Sequence, residues 1–400
     1  MITYFQNSKM IVSILIFSVF LKLILLYVIG VQVLPDSNVY LRIAEEIYQG
    51  SFVFPSWEND DGPLTPYIFA LVFPLEEYFG LNIYAFENIL VTSATIYVIY
   101  KITTMIFDNT AVANIASIIY AIYPFFNFYA ISILTEPHFI FFVYISLMFF
   151  VRFIKFQNIS DILLFGVMFA LSALVRFSSL AMFPFFLLLI VVLFKNNVGI
   201  KKSLIYMSAG ALAFFLTMLP WWVRNYQVSG NVSLMTIATA GPMLYMGNNP
   251  NNKTGGASGG VDVDFKEFFY IKNQLEREDA MQKAAINWIL ENPLDWLELE
   301  KKKFLRFFSL TLNAEKYRTW YYDAMSILSY GILLLLIFPS LYIFRDKLRL
   351  YSPMLLFSFL LIGLHMVLIA SVRYRLPIEP FMVIMASPII YRLPKKVFSK

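Results

Sequence analysis

Leu34-Pro35-Asp36-Ser37-Asn38-Val39-Tyr40 follows directly on an apolar run, Met10 to Val33, and the two together decide the class of fold. The run is too long for the core of a signal peptide and no small-residue cleavage site follows it, so it is expected to stay as a signal anchor. The segment behind it is acidic and starts a helix, with Val39, Ile43 and Ile47 on one face, so a carboxylate is held at a membrane surface. The same loop continues through Glu45, Glu46, Glu58, Asp60 and Asp61 to Gly62-Pro63-Leu64-Thr65-Pro66-Tyr67, which concentrates negative charge in one short connection.

Composition agrees. Of 400 residues, 59% are hydrophobic and 14% charged, far from the near-even apolar content and quarter charge of a soluble globule. The chain therefore reads as an all-α polytopic membrane protein. Its 41 Phe and 25 Tyr suit lipid-facing helices with interfacial anchors, and the +5 charge comes from Lys and Arg gathered on one side, with no sign of a nucleic-acid partner. The absence of Cys excludes disulfides, thiolate metal sites and Cys nucleophiles, and two His, at 138 and 365, exclude a histidine-cluster metal site.

Stretches near 20 apolar residues predict about ten spans, at 10–32, 82–106, 110–130, 133–155, 161–176, 178–195, 203–224, 323–344, 353–371 and 377–392. Lys9, Lys101, Arg152 with Lys155, Lys195 with Lys201 and Lys202, Arg345 with Lys347 and Arg349, and Arg392 with Lys395, Lys396 and Lys400 fall on alternate ends. By the positive-inside rule both termini are expected in the cytoplasm of a cell whose inner membrane holds the chain. The other face then receives the first outer loop, 33–81, and the segment 225–322. Within the first, 64–79 contains Pro66 and Pro74 and is too short to span, so it is expected to form interfacial helices. Within the second, a Gly/Asn-rich loop over 247–264 precedes amphipathic helices near 265–291 and 294–310, a small extracytoplasmic cap on a single membrane domain, 1–400.

Candidate functional residues collect on that face. Asp36 reads either as a helix N-cap, a role Ser37 or Asn38 fills equally well, or as a catalytic carboxylate. Glu136, in Leu134-Thr135-Glu136-Pro137-His138, is a second acid at the mouth of a span, either functional or solvated at the surface. His138 reads as a satisfied polar residue. Arg176, Arg224, Arg373 and Arg375 end spans on the outer face, against the positive-inside bias. A guanidinium matches phosphate oxygens in a fork, so four of them beside an acidic loop point to a lipid phosphate or pyrophosphate, with snorkelling to headgroups as the other role of any one. Trp221, Trp222, Trp320, Tyr321 and Tyr322 read as belt residues, with stacking on a sugar ring as the other role.

The ordered set Asp36-Ser37-x-x-Tyr40, Gly62-Pro63-Leu64-x-x-Tyr67, Thr135-Glu136-Pro137, Leu174-Val175-Arg176, Pro220-Trp221-x-x-Arg224-Asn225-Tyr226, Gly247-Asn248-Asn249-Pro250 and Arg373-x-Arg375-x-Pro377 resembles the GT-C class of polyprenyl-phosphate-sugar glycosyltransferases. The nearest branch is the bacterial one related to protein O-mannosyltransferases and to the lipid A aminoarabinose transferase. The resemblance implies interfacial helices after the first span, a catalytic Asp at Asp36, a second acid at Glu136, a phosphate-facing Arg375, and a hydrophobic groove for the lipid carrier. It places Arg373, Arg176, Arg224, Tyr40, Tyr67, Asn248 and Asn249 among the substrate-binding candidates. Ser37 stands where some members have a second acid, which leaves open whether Asp36 and Glu136 hold a divalent cation. No large soluble domain follows the last span, which weighs against a protein acceptor.

The expected activity is inverting transfer of a sugar from a polyprenyl phosphate to a hydroxyl of a cell-envelope glycan, lipid or protein. A transporter or flippase for a lipid-linked sugar and a non-catalytic envelope-assembly subunit are the alternatives. The first would show inverted repeats and a midplane site.

Overall fold

The computed structural model describes residues 9–50, 62–230, 234, 240–257, 262–313 and 318–397. Glu58, Asp60 and Asp61 of the acidic loop, and 258–261 of the Gly/Asn-rich loop, lie outside the described residues.

In chain order the helices are α1 Met10–Ile29, α2 Pro35–Tyr48, α3 Leu64–Val72, α4 Glu76–Phe79, α5 Asn82–Phe107, α6 Thr110–Ile122, α7 Pro124–Ala130, α8 Glu136–Phe156, α9 Ile159–Val175, α10 Ser178–Val198 and α11 Ile200–Ser229. They continue with α12 Ala240–Gly247, α13 Gln274–Glu291, α14 Pro293–Phe307, α15 Trp320–Ser326, α16 Ile332–Ile343, α17 Leu348–Val367, α18 Val372–Arg375 and α19 Glu379–Val397.

Every expected span has a helix, but not all are straight or full length. Among the described residues eight helical stretches are long and apolar enough to cross a membrane, and a ninth is the pair α6 and α7, bent by 57°. The bend falls at Tyr123-Pro124, where proline has no N–H to continue the ladder and its ring disfavours a helical residue before it. The helix α9, at the fifth expected span, is the remaining one and the shortest, because Arg176 is already extended and ends it. A π-helical turn, Ile327–Gly331, joins α15 to α16.

With lipid outside, apolar transfer does not hold helices together; close packing does. A Cβ on Gly166 of α9 would sit 2.4 Å from the Gly210 carbonyl oxygen of α11, so the two backbones cross where neither carries a side chain. Around this crossing Phe165, Phe169, Phe183, Phe186 and Phe214 interlock, Phe183 and Phe214 with centroids 3.7 Å apart.

As expected, 64–79 does not span. Pro66 lies in the first turn of α3 and Pro74 in the 3-10 turn behind it, where proline is tolerated. One face of α3, Thr65, Phe69 and neighbours, is buried while Tyr67 and Leu71 are exposed.

The segment before α8 is stitched to the segment after α1. Gln32 N donates to Ile131 O (2.9 Å) and Ile133 N to Gln32 O (3.1 Å), forming an isolated parallel bridge across Gln32 and Ser132. Ser37 Oγ donates to Ile133 O (2.8 Å) and Asn88 Nδ2 to Ser132 O (2.7 Å). These bonds place the start of α2 beside the start of α8.

The cap, α12 to α14, has its own small core of Tyr245, Val263, Phe268, Met281 and Ala285. It is bonded to the connection between α17 and α18 by Lys303 Nζ donating to Met366 O (2.9 Å), Arg306 Nε to Ala370 O (2.9 Å) and Ala370 N to Gly255 O (3.0 Å). Burial lowers the Lys303 amine and raises the Glu300 carboxyl from their ordinary values. Their 2.7 Å pairing opposes both shifts.

Candidate active site

Four charged side chains from four parts of the chain meet at one end of the bundle. Asp36 comes from the first turn of α2, Glu136 from the first turn of α8, Arg176 from the residue that ends α9, and Arg373 from α18. Arg373 links the two acids: its Nε donates to Glu136 Oε1, and its Nη1 to Asp36 Oδ2 at 2.5 Å. Arg176 reaches the same oxygen, with Nη2 2.9 Å from Glu136 Oε1. Its Nε and Nη2 donate to Thr135 Oγ1 at 3.0 and 2.8 Å, and its guanidinium lies 5.5 Å from the centre of the Phe139 ring.

Exposure grades across the set. The Glu136 side chain is 0% exposed, Arg176 11%, Arg373 22% and Asp36 46%. Glu136 is therefore the buried root and Asp36 the group that solvent or a substrate reaches. Glu136 Oε2 is buried and makes no hydrogen bond, and a buried carboxylate oxygen without a donor is costly unless something fills the position.

Local sequence explains the positions. The N-cap of α2 is Leu34, with no side-chain cap; Ser37 Oγ instead accepts from Leu34 N at 2.9 Å. Asp36 is thus not the cap. Its carboxylate stays in the first turn, where the helix dipole favours negative charge, and turns to Arg373. Ser371 caps α18, its Oγ accepting from Arg373 N at 3.3 Å, and Asn313 Oδ1 accepts from Val372 N at 2.7 Å, so the residues before Arg373 are held on both sides. Gly62 N donates to Val175 O at 2.9 Å, and a Cβ there would lie 2.0 Å from Leu174 O. Only glycine lets the entry to α3 lie against the backbone that leads into Arg176.

The remaining candidates divide. Tyr40 is buried and electrostatically coupled to Arg373. Tyr129, which nothing in the sequence singled out, is coupled to Glu136, Arg373 and Arg176; it lies in an apolar stretch without a motif, so only the fold reveals it. Arg224 sits 4.9 Å from the centre of the Trp221 ring and is electrostatically coupled to Tyr67, which puts it beside α3. Arg375, expected to face phosphate, points elsewhere. Residues two apart on a helix diverge by about 200°, so with Arg373 on the acids Arg375 enters the packing. Its Nε donates to Glu379 Oε1 (2.8 Å), its Nη1 to Phe307 O (3.1 Å) and Ser309 O (2.8 Å), its guanidinium lies 3.2 Å from the centre of the Tyr330 ring, and it is 1% exposed.

Asn248 and Asn249 are also buried and committed. Asn248 donates to Leu244 O and Val367 O and accepts from Trp296 and Lys303. Asn249 donates to three carbonyls, including Asp262 O at 3.0 Å, and accepts from the backbone of Asn251 and Asn252. Both hold the cap loop together. His138 faces away from the acids, between the Glu87 carboxylate at 3.0 Å and Thr65 Oγ1 at 3.4 Å, the satisfied polar residue expected of it.

The donor set does not form a cation cradle. The Arg373 guanidinium occupies the space between Asp36 and Glu136, and the described residues contain no group of three or more His, Asp or Glu side chains arranged for a metal.

Residues 60–222 match the family described as dolichyl-phosphate-mannose-protein mannosyltransferase. No curated protein matches the sequence. Among solved structures, ArnT from Cupriavidus metallidurans bound to undecaprenyl phosphate superposes with a TM-score of 0.56 at 12% identity, over 96% of this chain and 60% of that one. The archaeal oligosaccharyltransferase AglB from Archaeoglobus fulgidus, in complex with an inhibitory peptide and a dolichol-phosphate, gives 0.55 at 12% identity over 98% and 52%. The Archaeoglobus fulgidus oligosaccharyltransferase tethered to an acceptor peptide gives 0.60 at 12% identity over 98% and 51%. The chain spans between half and three fifths of the length of these structures. With short, non-spanning helices after its first span, acids at the heads of α2 and α8, and this superposition over nearly its whole length, the chain has the fold of the GT-C membrane glycosyltransferases.

Proposed function

We propose that the chain is an inverting glycosyltransferase that moves one sugar from a polyprenyl-phosphate donor to a hydroxyl of a cell-envelope glycan, lipid or protein. It sits in the inner membrane with both termini cytoplasmic and its active site extracytoplasmic. The observation that carries this reading is the half-exposed Asp36, held by Arg373 against the buried Glu136.

The acceptor oxygen attacks the anomeric carbon as Asp36 takes the hydroxyl proton. The bond from that carbon to the phosphate oxygen breaks, and its electron pair leaves with polyprenyl phosphate. Glu136, buried behind the site, holds Arg373 in place, and Arg373 keeps Asp36 aimed. Asp36, Glu136, Arg176 and Arg373 sum to zero charge, so the departing phosphate needs a further cation. Arg224, within electrostatic reach of Tyr67 on α3, is the residue we assign to it. Arg375 braces the segment that carries Arg373. The guanidinium between the two acids supplies the positive charge that a divalent cation would bring, so transfer is expected to survive chelation. A flippase would place its charges at the midplane on broken helices, whereas these lie at helix ends.

The test is mass spectrometry of envelope glycans from deletion and wild-type cells. One sugar substituent is expected to disappear on deletion and return with the intact gene; an unchanged profile, together with no turnover of polyprenyl-phosphate sugars by the purified chain, defeats the reading.

A further inference from the structure

The cap helix α14 has three faces rather than two. Leu299, Lys303 and Phe307 form a packed face. At about 100° per residue, the opposite direction carries Leu294 (79% exposed), Leu297 (57%), Phe304 (51%) and Leu305 (60%), with Lys301 among them. A separate polar edge holds Asp295, Glu298 and Lys302, the last two paired at 2.9 Å. A single exposed leucine needs no explanation, but four large apolar side chains opposite the packed face do.

The packed face fixes the depth of this stripe. Lys303 and Arg306 hold the carbonyls of Met366 and Ala370, at the end of one candidate span, Arg345–Val367, and just before the next, Val372–Leu393. The helix therefore lies at the level where spans leave the hydrocarbon. Beyond it the chain passes Leu310 and reaches Trp320 and Tyr321, exposed aromatics at the head of another span, so the stripe continues a lipid-facing belt.

We propose that α14 lies in the plane of the bilayer, with Leu294, Leu297, Phe304 and Leu305 among the acyl chains and Lys301 reaching up to lipid phosphates. The occupant of this face is the membrane that the chain already spans. Because the same helix grips Ala370, three residues before Arg373, its seat in the bilayer sets the height of Arg373 relative to the headgroups.

The natural sequence has no Cys, so single cysteines at Leu297, Leu305 and Asp295 can carry a fluorophore on the full chain in phosphatidylglycerol-containing proteoliposomes. Doxyl groups near the lipid headgroup are expected to quench the probes at 297 and 305 and aqueous iodide to spare them, with the reverse at 295. Iodide quenching at all three positions overturns the proposal and lifts the cap clear of the membrane. Protection from both quenchers, with disulfide cross-linking of Leu297→Cys between copies, also overturns it and makes the stripe a dimer face. The readout needs no sugar transfer, so its failure is distinguishable from failure of the functional reading.

Discussion

Replacing Asp36 with asparagine separates chemistry from folding. An amide has the shape of the carboxylate but cannot take a proton, and loss of a general base costs ~10²–10⁴ in rate, or about 3–5 kcal/mol at 1.36 kcal/mol per decade. The fold should scarcely notice. Among the described residues the interaction lost is the 2.5 Å pair with Arg373, and Asp36 is 46% exposed, so solvent screening limits its worth to about 1 kcal/mol or less. Glu136 remains on Arg373 and Arg176, so no buried charge is stranded. The assay supplies purified wild-type and Asp36→Asn protein in nanodiscs with polyprenyl-phosphate sugars and an envelope extract, with products read by mass spectrometry and stability by thermal unfolding. The expected result is a transfer rate down by two orders of magnitude or more at an unfolding temperature close to wild type. Turnover within severalfold of wild type would refute the assignment and leave Asp36 as a first-turn charge paired to an arginine.

Arg375→Ala should lower stability by about 3–5 kcal/mol, because it strands the fully buried Glu379, whereas Arg375→Met with Glu379→Leu should recover the unfolding temperature and transfer together; a stable but inactive double variant would instead put Arg375 on the donor phosphate. Gly62→Ala should cost about 1–3 kcal/mol through the clash with Leu174 O and reduce transfer by displacing α3 from the backbone before Arg176, read by thermal unfolding and turnover. Chelator treatment of purified protein should leave transfer unchanged, and a loss restored by added magnesium or manganese would place a cation at Glu136 Oε2. A cysteine at the exposed Tyr270 should react with an impermeant thiol reagent in spheroplasts and one at Lys201 should not; the reverse pattern inverts the proposed topology.

The sequence alone determined the class of fold, because the constraint on a membrane span is one-dimensional. Length and apolarity suffice, and the ten expected spans all have helices at their places, with α9 short and α6–α7 bent where Pro124 breaks the ladder. That 64–79 forms helices too short to span followed equally directly from two prolines in a short apolar stretch. Asp36, Glu136 and Arg176 were legible as charges at the mouths of spans. What only the tertiary structure decided is which of these charges meet. Arg373 and Arg375 are alike in the sequence, yet helical geometry gives one to the two acids and the other to Glu379 and Tyr330. Asn248 and Asn249 look like mobile-loop residues, and their buried bonds, from Asn248 to the distant Val367 carbonyl and from Asn249 across its own loop to Asp262, make them braces. Tyr129 carries no motif, being one aromatic in an apolar stretch, and only the fold brings it within electrostatic reach of Glu136, Arg176 and Arg373, which come from three separate parts of the chain.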